Sequence, residues 1–130
     1  MTALTFSPEL IEKIKSGQKT QTRRPVQPDE CETLTQSNKR KRRISLVCKN
    51  SRVKWTLHCT RAIKPGRTAR GVGHVLIKDI RREAVTDISE SDARAEGFAS
   101  RDAFLAYWHK LYGDRGMNMD CWVLTFEVTA

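Results

Sequence analysis

Between Ser7 and Gly17 the apolar residues recur at helical spacing, with Leu10, Ile11 and Ile14 on one stripe. Ser7-Pro8-Glu9 reads as the start of that helix. It offers a capping hydroxyl, a proline where no N–H is needed, and an acid near the positive helix end. Gly17 ends it in the left-handed conformation. Pro25 and Pro28 then enforce extended or turned backbone. Asp29 to Asn38 is polar throughout and predicts a loop. Ile44–Lys49 and Arg52–Thr60 predict strands joined by a turn at Lys49-Asn50-Ser51, and Pro65-Gly66 marks another turn. Val72 to Ile80 is β-branched and predicts a central strand.

The rhythm then changes. Ser89-Glu-Ser-Asp92 has the form of a capping box, with Asp where Glu or Gln is usual. It opens a short helix that Gly97 closes. Ser100 caps a second helix, in which Phe104, Leu105, Trp108, Leu111 and Tyr112 recur at helical spacing up to Gly113. From Cys121 to Thr129 the pattern alternates. Trp122, Leu124, Phe126 and Val128 share one face, and Thr125, Glu127 and Thr129 the other, as in a half-buried strand.

The order is therefore helix, several strands, two helices, strand. Strands cluster instead of alternating with helices, which argues against a doubly wound parallel sheet. The expected class is α+β, a small mixed or antiparallel barrel flanked by about three helices. A length of 130 residues fits one domain, 1–130. No run of about 18 apolar residues predicts a membrane span, and the N-terminus does not read as a secretion signal. The expected location is cytoplasmic, with no membrane partner.

Charge changes this picture in one place. The chain carries 24 Lys and Arg against 15 Asp and Glu, a net +9. Thr33 to Lys78 contains no acid and 13 of the bases, while the remaining 84 residues carry 11 bases and 15 acids. A mildly acidic frame thus encloses a basic loop or hairpin region at about 33–70. Such a stretch points to a polyanion, because each phosphate contact releases counterions. The expected nucleic-acid contacts are Lys39, Arg40, Lys41, Arg42, Arg43, Lys49, Arg52, Lys54, Trp55, Arg67 and Arg70 from this stretch, with Arg23 and Arg24 before it. Trp55 and His58 lie among them. They read either as stacking platforms for an unpaired base or, for Trp55, as barrel core.

The four cysteines, Cys31, Cys48, Cys59 and Cys121, form no Cys-x-x-Cys pair and predict free thiols. Cys48, His58, Cys59 and Cys31 match no zinc spacing, so no metal site is expected. Cys121 reads as core, His109 as surface, and His74 as facing either the barrel interior or a ligand. The chain carries no Ser-His-Asp pattern, P-loop or dinucleotide fingerprint, and no cofactor is implied.

Three stretches resemble the ASCH family of the PUA-like superfamily, in its bacterial and phage form. They are Gly17-x-Lys19-Thr-x-Thr22-Arg-Arg24, the run from Ile80 to Phe98, and Phe104-Leu-Ala-Tyr-Trp108 followed by Trp122-Val-Leu-Thr-Phe-Glu127. Residues 29–60 have no counterpart there, and Lys64-Pro-Gly-Arg67 lacks the acid of the family's Gly-Asp turn. The resemblance implies a barrel of about five or six strands. It implies RNA binding or, in some small members, hydrolysis of the acetyl amide of N4-acetylcytidine. The implied catalytic set is Lys19, Thr22 and Glu96, with Arg24 closing the motif.

Those residue types suit amide hydrolysis. Thr22 supplies a hydroxyl nucleophile, Lys19 a base if its pKa is depressed, and Glu96 a proton relay or a partner for the cytosine amino group. Arg23 and Arg24 would depress Lys19 if they lie beside it. On a straight strand residues 19 and 22 point to opposite faces, so they converge only if the backbone is irregular. In the alternative, the same residues only contact nucleic acid, and the protein is a non-catalytic adaptor using segment 39–70. A protein-binding module on the helical surface is a third class, but it leaves the charge asymmetry without a role. The expected partner is RNA or another single-stranded nucleic acid, or a cytidine-type nucleoside.

Overall fold

The computed structural model describes residues 2–35 and 43–129. In chain order the elements are β1 (Leu4–Thr5), α1 (Pro8–Lys15), β2 (Gln21–Pro25), β3 (Glu30–Leu34), β4 (Ile44–Lys49), β5 (Arg52–Thr56), β6 (Thr60–Lys64) and β7 (Gly73–Ala84). A 3-10 turn (Val85–Asp87), α2 (Glu90–Ala95), α3 (Arg101–Gly116) and β8 (Asp120–Thr129) follow. Five strands form a mixed half-barrel in the order β1-β6-β7-β8-β2, and β3-β4-β5 form a second, small antiparallel sheet. The architecture is α+β, as the element order implies.

The helix starts follow their caps. Ser7 Oγ accepts from Leu10 N, Ser89 Oγ from Asp92 N, and Ser100 Oγ from Ala103 N. Gly17 (φ 83°) and Gly97 (φ 94°) then turn the chain out of α1 and α2 in the left-handed region that glycine tolerates. Gly113 breaks α3 with φ 70°, but the helix resumes for a further turn to Gly116.

Three expectations change. Asp29 to Asn38 does not begin as a loop. Glu30–Leu34 is a strand, paired antiparallel with β4 from Glu30↔Lys49 to Leu34↔Ile44. Its ladder comes from a distant partner, and only Glu30 of its five residues is buried, so its sequence shows no alternation. Arg52–Thr60 is two strands, not one. The break falls at His58 (φ 65°), whose N–H bonds Ile77 O at 2.8 Å while Ile77 N bonds Cys59 O at 3.0 Å. These bonds lock the small sheet onto β7. Finally, Cys121–Thr129 is not half-buried. Cys121 to Leu124 are all buried, and Val128 is exposed.

The last point follows from position. β8 lies between β2 and β7, and apolar layers cover both of its faces. Trp122, Leu124 and Phe126 join the barrel core with Ile11, Ile14, Val47, Trp55, Ile63 and Ile77. Cys121 and Val123 join a second cluster with Val85, Ile88, Ala93, Phe104 and Trp108. Pro25 is tolerated because β2 is an edge strand.

Candidate functional site

Lys19 follows the left-handed turn at Gly17, and its N–H bonds back to Lys13 O at 3.0 Å. Thr20 N bonds Ala95 O at 2.8 Å, which ties this turn to the end of α2. Lys19 therefore precedes β2 instead of lying on it. That irregularity brings its side chain and that of Thr22, the second residue of β2, to one cavity. Glu96 arrives from the other side as the C-cap of α2. Gly97 keeps the approach close, since a Cβ there would lie 3.2 Å from Lys13 Cδ and 3.6 Å from Lys19 Cβ.

Lys19 is 2% exposed and its ammonium group is fully engaged. It donates to Gln21 O at 2.8 Å, Glu96 O at 2.7 Å and Glu96 Oε2 at 2.8 Å. Burial pushes the Lys19 pKa down, against the opposing pull of Glu96, and Arg24 adds to the lowering. Burial pushes the Glu96 carboxyl up, against Lys19, Arg23 and Arg24. Burial thus disfavours the charged form of each partner, and their mutual attraction opposes it. Glu96 Oε1 is buried without a hydrogen-bond partner, and Arg23 Nε is 3.7 Å away.

The two arginines of the motif part company. Arg24 lines the cavity, stacks 4.9 Å from the centre of the Phe6 ring and donates to Thr5 O at 2.8 Å. The Arg23 side chain is wholly buried and runs into an ionic network. It meets Glu83 Oε1 at 2.6 Å and Asp92 Oδ2 at 3.2 Å, and Asp92 also takes Arg81 at 3.0 Å. Arg23, expected as a nucleic-acid contact, is thus paired with acids inside the protein while it also lines the cavity.

The cavity measures about 360 Å³. Phe6, Phe98, Phe104, Tyr107, Trp108 and Tyr112 supply much of its wall, with Lys19, Thr22, Arg23, Arg24 and Glu96 among its polar groups. This aromatic wall is what sequence reasoning misses. Leu111 and Tyr112, two positions of the helical stripe, are 53% and 37% exposed and line the cavity. A signal existed. α3 carries more large apolar residues than a single core-facing stripe needs.

The basic region divides too. Lys39, Arg40, Lys41 and Arg42 lie outside the described residues. Arg43, Arg52, Arg67 and Arg70 are exposed, and Arg43 pairs with Asp79 at 3.1 Å. Lys49 is half-buried and bonds the Gln27 side chain at 2.5 Å. Lys54 bonds Glu30 Oε2 at 2.6 Å. Trp55 is 2% exposed in the barrel core, so the stacking reading is corrected: its ring cannot reach a base. His74 and His109 are exposed, and Cys121 is buried, its thiol pushed up to about 11 chiefly by burial. Among the described residues no His, Cys, Asp and Glu side chains cluster in threes as metal ligands.

The mixed half-barrel, the small second sheet and the flanking helices make up a fold seen before. Two solved structures share it. One is a protein of Enterococcus faecalis V583 described as DUF984, 17% identical, with a TM-score of 0.62 over 99% of this chain and 81% of that one. The other is an ASCH domain from Lactobacillus crispatus JV V101, 11% identical, with a TM-score of 0.60 over 98% and 79%. The sequence itself matches no family model and no curated protein. The fold is thus ASCH-like.

Proposed function

We propose that residues 1–130 form one RNA- or nucleoside-binding domain whose pocket receives a cytidine-type base, and that its chemical step is hydrolysis of the N4-acetyl amide. The observation that carries this reading is a buried Lys19–Glu96 pair in an aromatic-walled cavity of about 360 Å³ that Thr22 also lines. Aromatic side chains suit a flat heterocycle, and a few convergent polar groups suit its edge.

Each residue has a balanced role. With the shared proton on Glu96, Lys19 is a neutral amine and takes the Thr22 hydroxyl proton as Thr22 Oγ bonds the acetyl carbon. Arg24 stabilises the oxyanion. The bond from the acetyl carbon to N4 breaks, and Lys19 returns the proton to N4, releasing cytidine. Water, deprotonated by Lys19, then cleaves the acyl-Thr22 ester to acetate, and Thr22 recovers its proton. No cofactor enters.

Incubation with N4-acetylcytidine, followed by chromatography, tests the step. Wild type is expected to yield cytidine and acetate, and Lys19→Ala or Thr22→Val to lose at least 100-fold, the scale of a lost acid–base group. No cytidine from wild type, or undiminished yield from Lys19→Ala, overturns it.

One observation favours a second reading, recognition without chemistry: all three Lys19 protons already have acceptors. A nucleoside that binds the pocket without turnover would select it. In either reading the basic region holds a phosphate backbone, supported by the exposure of Arg43, Arg52, Arg67 and Arg70. Filter binding to RNA at two salt concentrations tests this. Each neutralised contact should flatten the salt slope by about 1. An unchanged slope after neutralising Lys39 to Arg43 overturns it.

A further inference from the structure

The β3–β4 ladder sets Cys31 directly opposite Cys48. Residues opposed across antiparallel strands project to the same face, with Cα atoms about 4.5 or 5.5 Å apart. A disulfide accepts Cα separations of about 4.4–6.8 Å, so either spacing is bridgeable. The adjacent pair, Glu30↔Lys49, turns Glu30 inward onto Trp122 Nε1. By alternation the cysteines face outward; Cys31 is exposed, Cys48 half-buried, and both are free thiols. Bringing their Cβ atoms to bonding range takes roughly 1 Å. The hairpin has slack for that. Register shifts fall between Thr33 and Leu34 in β3, and between Val47 and Cys48 where β4 meets β5.

We propose that Cys31 and Cys48 are an oxidisable pair that closes to a cross-strand disulfide by exchange with a small-molecule disulfide of the glutathione class. The Cys31 thiolate attacks one sulfur of the small disulfide and releases one small thiolate. The Cys48 thiolate then attacks Cys31 Sγ of the mixed disulfide and releases the second. The protein loses two electrons and two protons, and the small disulfide is reduced to two thiols. The bond pins edge strand β3 to β4 and closes a loop over the segment that holds Lys39 to Arg43. Cys59, between β5 and β6, and Cys121, on β8, pair with no cysteine in the described ladders.

The test treats the full chain with oxidised glutathione, quenches it in acid and counts thiols after unfolding. The count is expected to fall from four to two, with the intact mass lower by two hydrogens, and reductant should restore both. Trypsin cleaves within Lys39 to Arg43, so Cys31 and Cys48 leave in separate peptides unless bonded to each other. A linked peptide under non-reducing conditions is the supporting result. It should vanish in Cys31→Ser and persist in Cys59→Ser. The oxidised wild type should also melt several degrees higher. Four thiols after treatment, a bond to Cys59 or Cys121, or a link only between chains overturns the proposal.

Discussion

The two sheets handle charge in opposite ways. Around β2 and α2, where residues 19–25 and 90–96 carry four bases and three acids, ions go inside: Lys19, Arg23 and Glu96 are each 4% exposed or less. Between Glu30 and Thr56 the sequence carries eight bases and two acids, and there Arg43 and Arg52 are exposed and the Lys49 side chain is 42% exposed. Glu30 is the exception. Its carboxylate accepts from Trp122 Nε1 at 2.9 Å, Gln27 N at 2.8 Å and Lys54 Nζ at 2.6 Å, joining the small sheet to β8. A surplus of one sign thus marks what faces solvent, whereas the charges that build a site are hidden in a segment whose net charge is unremarkable.

That contrast can be broken by mutation, and the largest effect belongs to the interior. Arg23→Ala leaves Glu83, Asp92 and Glu96 without their shared cation and should cost about 3–5 kcal/mol in urea denaturation. A loss under about 1 kcal/mol would mean the network is solvated after all. Lys54→Ala removes one charged bond to a buried carboxylate, and about 2 kcal/mol is expected. Arg43→Ala, in the exposed pair with Asp79, should change stability by less than about 1 kcal/mol.

Acid sharpens the comparison. Burial raises the Glu96 carboxyl, so the native state holds that proton more tightly than the unfolded chain. Its stabilising contribution is complete below the unfolded value and lost as pH rises through the native one. Glu30 has the opposite sign. Burial pushes its carboxyl up, but the bonds from Lys54, Gln27 and Trp122 outweigh this and hold it below the usual value. Its contribution is present above the unfolded value and lost as pH falls through the native one. Urea midpoints between about pH 3 and 7 should show Glu96→Gln losing the acid-side gain and Glu30→Gln losing the acid-side loss. Slopes that change in the same direction would refute the contrast.

Local signals made much of this legible. Ser7, Ser89 and Ser100 cap helices where the sequence predicts them, and β4 begins and ends at its predicted residues. The misses share a cause: the deciding partner lies far along the chain. β3 is polar and becomes a strand through β4. His58 breaks a strand because Ile77 takes its N–H. Lys19 and Glu96, read as one set by resemblance, meet across 77 residues. The aromatic wall was hidden because helical spacing alone does not say which residues of α3 meet the core and which, like Tyr112, line a cavity.

The central place of β8 has a consequence for how the pocket comes into being. Thr22 pairs across the ladder with Leu124, and Arg24 with Trp122. The strand that carries Thr22 and Arg24 is made about a hundred residues before the one it leans on. On the ribosome β2 must wait for nearly all the intervening chain, and loop closure over that span is slow. The small β3–β5 sheet is made of near neighbours and can close early. The pocket is therefore a late product of folding, and a chain halted before Asp120 has the motif residues but no sheet to hold them.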